Sequence, residues 1–275
     1  MFAGAFSSAI ANLLIALLVL AGLAIYLTLI RQIGTRRSTT DVSIGAPPVR
    51  TFGVPEMFLA AGLILFVLIN ITSSFERSTP IQLTSGDLVA NLLLTLFVVF
   101  FIAGFLKLRG IDIDALAGFS RTSLKRAIST GIVLLLAAAP LIGLAEGITQ
   151  AIFRVGSSKQ EIVDLFNSSQ SIQQRVAIIV LAVVVAPISE EFLFRFFIYG
   201  VLRRYFGIAI GLVFNALLFA AAHTHLPSAL PLFVLGICFT LAYEWSGSIL
   251  VSMTMHALFN STQLILLAFP DSLQQ

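Results

Sequence analysis

Long apolar stretches recur along the whole chain and are separated by short polar segments. A helix needs about 20 mainly apolar residues to cross the hydrocarbon core of a bilayer, because its backbone polar groups must be satisfied within the segment. Eight stretches meet this requirement, with approximate limits of 9–30, 55–73, 88–106, 127–148, 176–202, 207–224, 228–245 and 249–269. The pattern predicts an all-α fold, a polytopic transmembrane helical bundle of about eight membrane-spanning helices.

The composition excludes several other classes of protein. Of the 275 residues, 58% are hydrophobic and 11% are charged, whereas about 25% of the residues of a soluble domain are charged. The single cysteine, Cys238, permits no intramolecular disulfide. The net charge of +3 is small and the basic residues are scattered, so nucleic acid is not an expected partner. The first apolar stretch is too long for a signal peptide and is interpreted as a membrane span.

Charge in the loops predicts the orientation of the chain. The loops after spans 1, 3 and 5 contain eleven Lys and Arg residues, and those after spans 2 and 4 contain four. Because cytoplasmic loops collect positive charge, we expect a multi-pass protein of the cell membrane with both termini outside. A short surface helix is expected between residues 149 and 175. The chain is divided into residues 1–150, which hold spans 1 to 4, and residues 151–275, which hold spans 5 to 8.

Span 5 is unusual because it contains three charged residues. Glu190, Glu191 and Arg195 lie within it, and a charge near the bilayer centre costs at least about 2.5 kcal/mol. Intramembrane charges are therefore functional candidates by default. A structural alternative is a buried ion-pair network that only holds helices together. All three histidines of the chain lie in or at the ends of later spans, which argues against that alternative: His223, His225 and His256.

The two carboxylates of span 5 are expected to differ in their surroundings. Glu191 and Arg195 are four residues apart and can pair on one helix face. Glu190 points about 100° away and has no partner in its own helix. An unpaired carboxylate that is partly removed from water suits a general base. A helix restart at Pro187 with Ser189 as its N-cap would instead favour the ionised carboxylate through the helix dipole.

Two later spans add polar groups that can meet this carboxylate. His223 follows a run of small residues that lets a neighbouring helix approach closely. His256 and Asn260 are four residues apart on one helix face, so their N–H groups can converge on one oxygen. The predicted topology puts Glu190 in mid-membrane and His223 near the outer end of its span. The two meet only if one of their helices starts deeper than its apolar stretch indicates.

Three short motifs lie in order on successive hydrophobic helices: Glu190-Glu191-x-x-x-Arg195, Phe219-x-x-x-His223 and His256-x-x-x-Asn260. Together they resemble the signature motifs of the type II CAAX prenyl protease family, also called the ABI or CPBP family of CAAX proteases and bacteriocin-processing enzymes. The resemblance covers about residues 176–265. The first four spans carry no motif of this family.

The resemblance implies an intramembrane endopeptidase. In such an enzyme Glu190 would act as the base, His223 would orient the attacking water with it, and His256 with Asn260 would form the oxyanion hole. Glu191 and Arg195 would hold these residues in position without contacting the substrate. The substrate would be a membrane-associated peptide or lipidated protein, including a prenylated CAAX peptide, and no cofactor is implied.

Other assignments of the same residues stay open. A zinc ion held by Glu190, His223 and His256 is an alternative, although the usual H-E-x-x-H signature is absent. A non-catalytic scaffold or bacteriocin self-immunity protein with the same buried cluster is another. A proton-coupled transporter is less favoured because no inverted repeat is visible. His225 matches no motif and is interpreted as a loop residue at the membrane surface.

Overall fold

The structure is a computed structural model that describes residues 2–40, 52–76, 85–154, 169 and 171–268. Within these ranges the chain is helical and contains no strand. Its helices are α1 Phe2–Thr40, α2 Val54–Glu76, α3 Ser85–Leu108, α4 Ile113–Ala117, α5 Leu124–Phe153, α6 Ile172–Val180, α7 Ala186–Glu190, α8 Tyr199–Ala222, α9 Ala229–Ser246 and α10 Ile249–Ala268. Single 3₁₀ turns at Phe119–Arg121 and Leu226–Ser228 lie between helices, and π-helical stretches at Leu181–Val185 and Glu191–Ile198 join α6, α7 and α8.

Seven segments of the described chain are long and apolar enough to cross a membrane. The predicted fold class is therefore confirmed, and the chain is an integral, multi-pass membrane protein. The longest segment, Ile172–Ala222, has 51 residues and would extend about 77 Å as one straight helix, against about 30 Å of hydrocarbon. Predicted spans 5 and 6 both lie within it. Most of the expected surface helix between residues 149 and 175 lies outside the described residues.

A break at Gly207 divides this long segment into two. Its φ of 81° and ψ of 174° are not helical, and only glycine adopts such a conformation at low cost. A Cβ built on Gly211 would lie 2.9 Å from the backbone nitrogen of Arg203. In a straight helix, residues that are eight positions apart are about 12 Å apart along the axis, so this close approach shows that the chain reverses direction at Gly207. Spans 5 and 6 thus form a tight helical hairpin, as two predicted spans require.

Helix α9 lies at the centre of the bundle. Helix α9 packs against α8, α5, α10 and α1, and it is the most buried span. An apolar helix surrounded on all sides is the expected occupant of a bundle core. Helix α5 lies along α10 and approaches it closely at Gly131, where an added Cβ would come within 2.9 Å of the Thr254 side chain. Small residues of this kind allow close helix packing in membranes.

Helices α2 and α3 lie at the edge of the bundle. Helix α2 packs along α8, whereas α3 contacts α4 and α7. The start of α2 and the end of α3 are joined through Glu56, which is 1% exposed. Its carboxylate accepts hydrogen bonds from the backbone N–H of Gly53 at 2.6 Å and from Nε of Arg109 at 3.2 Å. At their other ends, both helices border the cavity described below.

Candidate active site

The residues of the first motif lie on an irregular helix, residues 172–198, which we call the site segment. Two of its stretches, Leu181–Val185 and Glu191–Ile198, are π-helical. Such stretches are rare and are frequent at functional sites, because the wider turn leaves backbone groups without their usual partners. The expected restart at Ser189 is wrong, since Ser189 lies inside α7 and the helix continues through it. No helix N-terminus therefore lies at Glu190.

Asn260 satisfies a backbone carbonyl that the irregular helix leaves open. In the first π stretch, the N–H of Ala186 bonds to Leu181 instead of Ala182. The next candidate donor for the Ala182 carbonyl is Pro187, which has no N–H. The side-chain amide of Asn260 donates to this carbonyl at 2.8 Å. Helix α10 is thereby fixed to the site segment, which the sequence motif alone did not indicate.

Glu191 is the centre of a buried polar network. It forms an ion pair with Arg195 at 3.0 Å, and both side chains are fully buried. His256 Nδ1 donates a hydrogen bond to Glu191 Oε1 at 2.9 Å. The predicted pairing of Glu191 with Arg195 is therefore present, and the same carboxylate also orients His256. A hydrogen-bonded carboxylate of this kind fixes which ring nitrogen of a histidine carries the proton.

Two aromatic rings enclose the Arg195 guanidinium. Its Cζ lies 4.1 Å from the ring centre of Phe219 and 5.1 Å from that of Phe239, distances typical of cation–π contacts. Phe239 also lies 5.1 Å from the His256 ring, inclined by 31°. Phe239 belongs to α9, which carries no motif, and sequence reasoning missed it. In the sequence, Phe239 is one apolar residue among many in an apolar helix, and no pattern distinguishes it.

Glu190 differs from its neighbour in having no close partner. Its Oε2 is buried and makes no hydrogen bond, and the nearest ring nitrogen of His256, Nε2, is 3.8 Å away. The side chain as a whole is 27% exposed and lines a cavity. The expectation that Glu191 is paired and Glu190 is not agrees with this arrangement. Glu190 is thus available to a bound water or substrate.

His223 is oriented by its own helix. Its Nδ1 donates a hydrogen bond to the carbonyl of Phe219 at 2.8 Å, and the Phe219 ring packs edge-on against it at 4.8 Å. A carbonyl only accepts, so Nδ1 carries the proton and Nε2 of the neutral ring is left as an acceptor. His223 lines the same cavity as Glu190.

The helical hairpin explains how Glu190 and His223 meet. Glu190 precedes Gly207 by 17 residues and His223 follows it by 16, so each lies about 25 Å from the turn along antiparallel helices. The sequence placed them at different depths because it ended span 5 at residue 202, whereas the helix continues to the break at Gly207. The extra residues bring Glu190 to about the same distance from the turn as His223.

The cavity beside Glu190 and His223 has a volume of about 450 Å³, within the range of about 300–1,000 Å³ for small-ligand sites. One wall is the site segment and the end of α8. The opposite wall consists of α2 and α3 residues, among them Phe66, Val67 and Val98. Helices α2 and α3 carry no recognisable motif, so sequence analysis did not predict this contribution.

The other polar residues take different places. His256 is buried and does not line the cavity, although its ring lies between Glu190 and Glu191. His225 lies in the turn after α8, where its Nδ1 is 2.6 Å from Ser228 Oγ. Among the described residues, no group of three His, Cys, Asp or Glu side chains could hold a metal ion. Glu190, His223 and His256 thus do not converge as a zinc ligand set, and we assign no step to a metal.

Comparison with known proteins gives one match. Residues 172–262 match a family model described as "Type II CAAX prenyl endopeptidase Rce1-like". No curated protein and no solved structure matches the chain. The matched residues contain all three motifs. Over residues 172–262 the chain is therefore similar to this family, and the resemblance drawn from its three motifs is confirmed.

Proposed function

We propose that this protein is an intramembrane endopeptidase of the CAAX protease type, in which Glu190 activates water. The observation that carries the proposal is the meeting of an unpaired carboxylate and a histidine with a free Nε2 at one apolar cavity. The family match over the same residues supports hydrolysis of a peptide bond. Both groups are acceptors, which is what the activation of a water molecule requires.

In the proposed reaction, Glu190 removes a proton from a water that also hydrogen-bonds to His223 Nε2. The oxygen attacks the carbonyl carbon of the scissile peptide bond, and the carbonyl oxygen becomes an oxyanion. The proton is then delivered to the amide nitrogen, the C–N bond breaks, and a carboxylic acid and an amine are formed. General acid–base transfer of this kind contributes about 10²- to 10⁴-fold.

We assign stabilisation of the oxyanion to Asn260 and to the imidazolium form of His256, in which Nδ1–H bonds to Glu191 and Nε2–H is available to donate. The ring of His256 lies beside Glu190, and Asn260 bonds to Ala182, a residue of the cavity wall. A donor aimed at a developing oxyanion contributes about 2.7–4 kcal/mol. Glu191 and Arg195 act through His256, because the Glu191 carboxylate holds its Nδ1.

The substrate is proposed to be a membrane-associated peptide or lipidated protein that reaches the site within the cell membrane. The cavity is mainly apolar and bordered by helices with lipid-exposed faces, which suits a prenylated CAAX peptide. The isoprenoid would lie along the apolar wall while the peptide reaches Glu190. Nucleic acid has no part in the proposal.

The Glu190→Gln variant tests the proposed function. Because glutamine keeps the shape but cannot accept the proton, we expect a folded, inserted protein that no longer cleaves peptides. The assay compares membrane peptides from cells with wild type and variant by mass spectrometry, and then follows a farnesylated CAAX-type peptide with purified protein. Glu146→Gln, on α5 outside the cavity, is the matched control and should keep activity. Cleavage by Glu190→Gln, or no cleaved peptide with the wild type, would refute the proposal.

A chelator experiment separates this mechanism from the zinc alternative. We expect purified protein treated with 1,10-phenanthroline or EDTA to retain full activity, because water activation is assigned to Glu190 and His223 alone. Loss of activity that added zinc restores would contradict this assignment. The non-chelating isomer 1,7-phenanthroline serves as the control for direct inhibition.

A further inference from the structure

Helix α3 carries two polar residues at the cavity, and both lie outside the matched residues 172–262. Asn91 and Thr95 are four positions apart, about one turn of helix, and so lie on one face of α3. Leu92, Leu94 and Val98 of the same helix also line the cavity. Glu190 lines it as well.

Neither side chain has a hydrogen-bond partner within the described part of the chain. Among the described residues, no side chain or backbone group forms a hydrogen bond with the side chain of Asn91 or Thr95. Thr95 is half-buried and Asn91 is exposed, and both line the cavity. Polar side chains that face a cavity between membrane helices often mark a substrate path. Both are therefore available to a ligand in the cavity.

The reaction limits the shape of that ligand. The scissile carbonyl must be open to attack, whereas the carbonyls of an α-helix are engaged in its own backbone hydrogen bonds. The bound segment is therefore extended at the scissile bond.

An extended peptide brings unpaired N–H and C=O groups into the cavity. Burying such a group without a partner costs about 1–3 kcal/mol, and most of the wall is apolar. We propose that the Asn91 amide and the Thr95 hydroxyl bind the backbone of the extended substrate segment and position its scissile bond before Glu190. The inference rests on the proposed function and assigns α3 a role in substrate selection.

Conservative substitutions in α3 provide the first test. With a farnesylated CAAX-type peptide and protein in lipid nanodiscs, Thr95→Val should lower kcat/KM about 10-fold, mainly through KM, and Asn91→Leu should act similarly. Thr95→Ser keeps the hydroxyl and should restore most of the loss. Thr72→Val on α2, which is not part of the cavity wall, is the matched control. An unchanged kcat/KM in both α3 variants would overturn the inference.

Ester-substituted peptides test whether the contact is to the backbone. In a series of the same peptide, each member has one amide replaced by an ester and so lacks one N–H. We expect one ester position to lower kcat/KM about 10-fold with wild type and to have no further effect in the Asn91→Leu/Thr95→Val double variant. The same penalty in both proteins at every position would refute a backbone contact.

Crosslinking separates this inference from the proposed function, because it needs no turnover. In a Cys238→Ala/Glu190→Gln background, Asn91→Cys should form a disulfide with a cysteine-bearing peptide at one peptide position. Phe97→Cys, on the lipid-exposed face of α3, should form none. Crosslinking at Asn91→Cys without cleavage by the wild type would refute the proposed activity and keep the docking site. Cleavage by the wild type with equal crosslinking at both positions would refute the docking site alone.

Discussion

The buried pair of Glu191 and Arg195 allows the roles of the two adjacent glutamates to be separated by stability. Both side chains of the pair are fully buried and their charged atoms are 3.0 Å apart. Glu191→Leu keeps a similar volume but removes the counter-charge. Arg195 then keeps its guanidinium between Phe219 and Phe239 with only the partly exposed Glu190 nearby.

The expected loss follows from the cost of an uncompensated buried charge. Breaking a buried ion pair by removing one partner costs about 3–5 kcal/mol, and His256 loses its hydrogen-bond acceptor at the same time. We expect Glu191→Leu to lower the free energy of unfolding by about 3–5 kcal/mol. Removing both charges in Glu191→Leu/Arg195→Leu should recover most of this loss, because replacement of a whole buried pair by apolar residues is often neutral or stabilising.

The assay is reversible unfolding in lipid micelles, for example by steric trapping, with wild type, both single variants and the double variant. Glu190→Gln is the matched control, since it removes a charge one residue earlier from a side chain without a partner, and it should change stability by less than about 1 kcal/mol. A Glu191→Leu protein as stable as wild type would refute the reasoning. So would a double variant less stable than Glu191→Leu.

Two further predictions concern residues that hold the site together. Asn260→Ala should lower kcat by about 10²- to 10³-fold with little change in KM, and an unchanged kcat would contradict the oxyanion role. It should also lower the free energy of unfolding by about 1–3 kcal/mol, because the Ala182 carbonyl loses its donor. Adding Pro187→Ala, which supplies an N–H, should restore stability in an unfolding assay but not turnover. Phe239→Leu should lower kcat while KM in steady-state assays stays near that of wild type, because Phe239 packs on His256 without lining the cavity; a pure KM effect would contradict this.

Much of the site could be predicted from sequence because its chemistry lies in short-range patterns. The pairing of Glu191 with Arg195 follows from a spacing of four on a helix, and the absence of a partner for Glu190 follows from the 100° rotation between neighbours. The three motifs were sufficient to indicate the similarity to the CAAX protease family over residues 172–262. The prediction that Ser189 caps a new helix was wrong. Pro187 does not start a new helix, because the wider π turn before it accommodates the proline and the helix continues.

The hydrophobic pattern by itself determined the fold class. In a bilayer each backbone polar group must be satisfied within its own segment, so apolar length alone specifies helices and approximately where they are. The tertiary structure decided which side chains meet. The contacts of Asn260 with Ala182, of Phe239 with His256, and of α2 and α3 with the cavity join residues far apart in the chain. Such contacts depend on how helices pack in three dimensions, and helical periodicity within one segment carries no information about its neighbours.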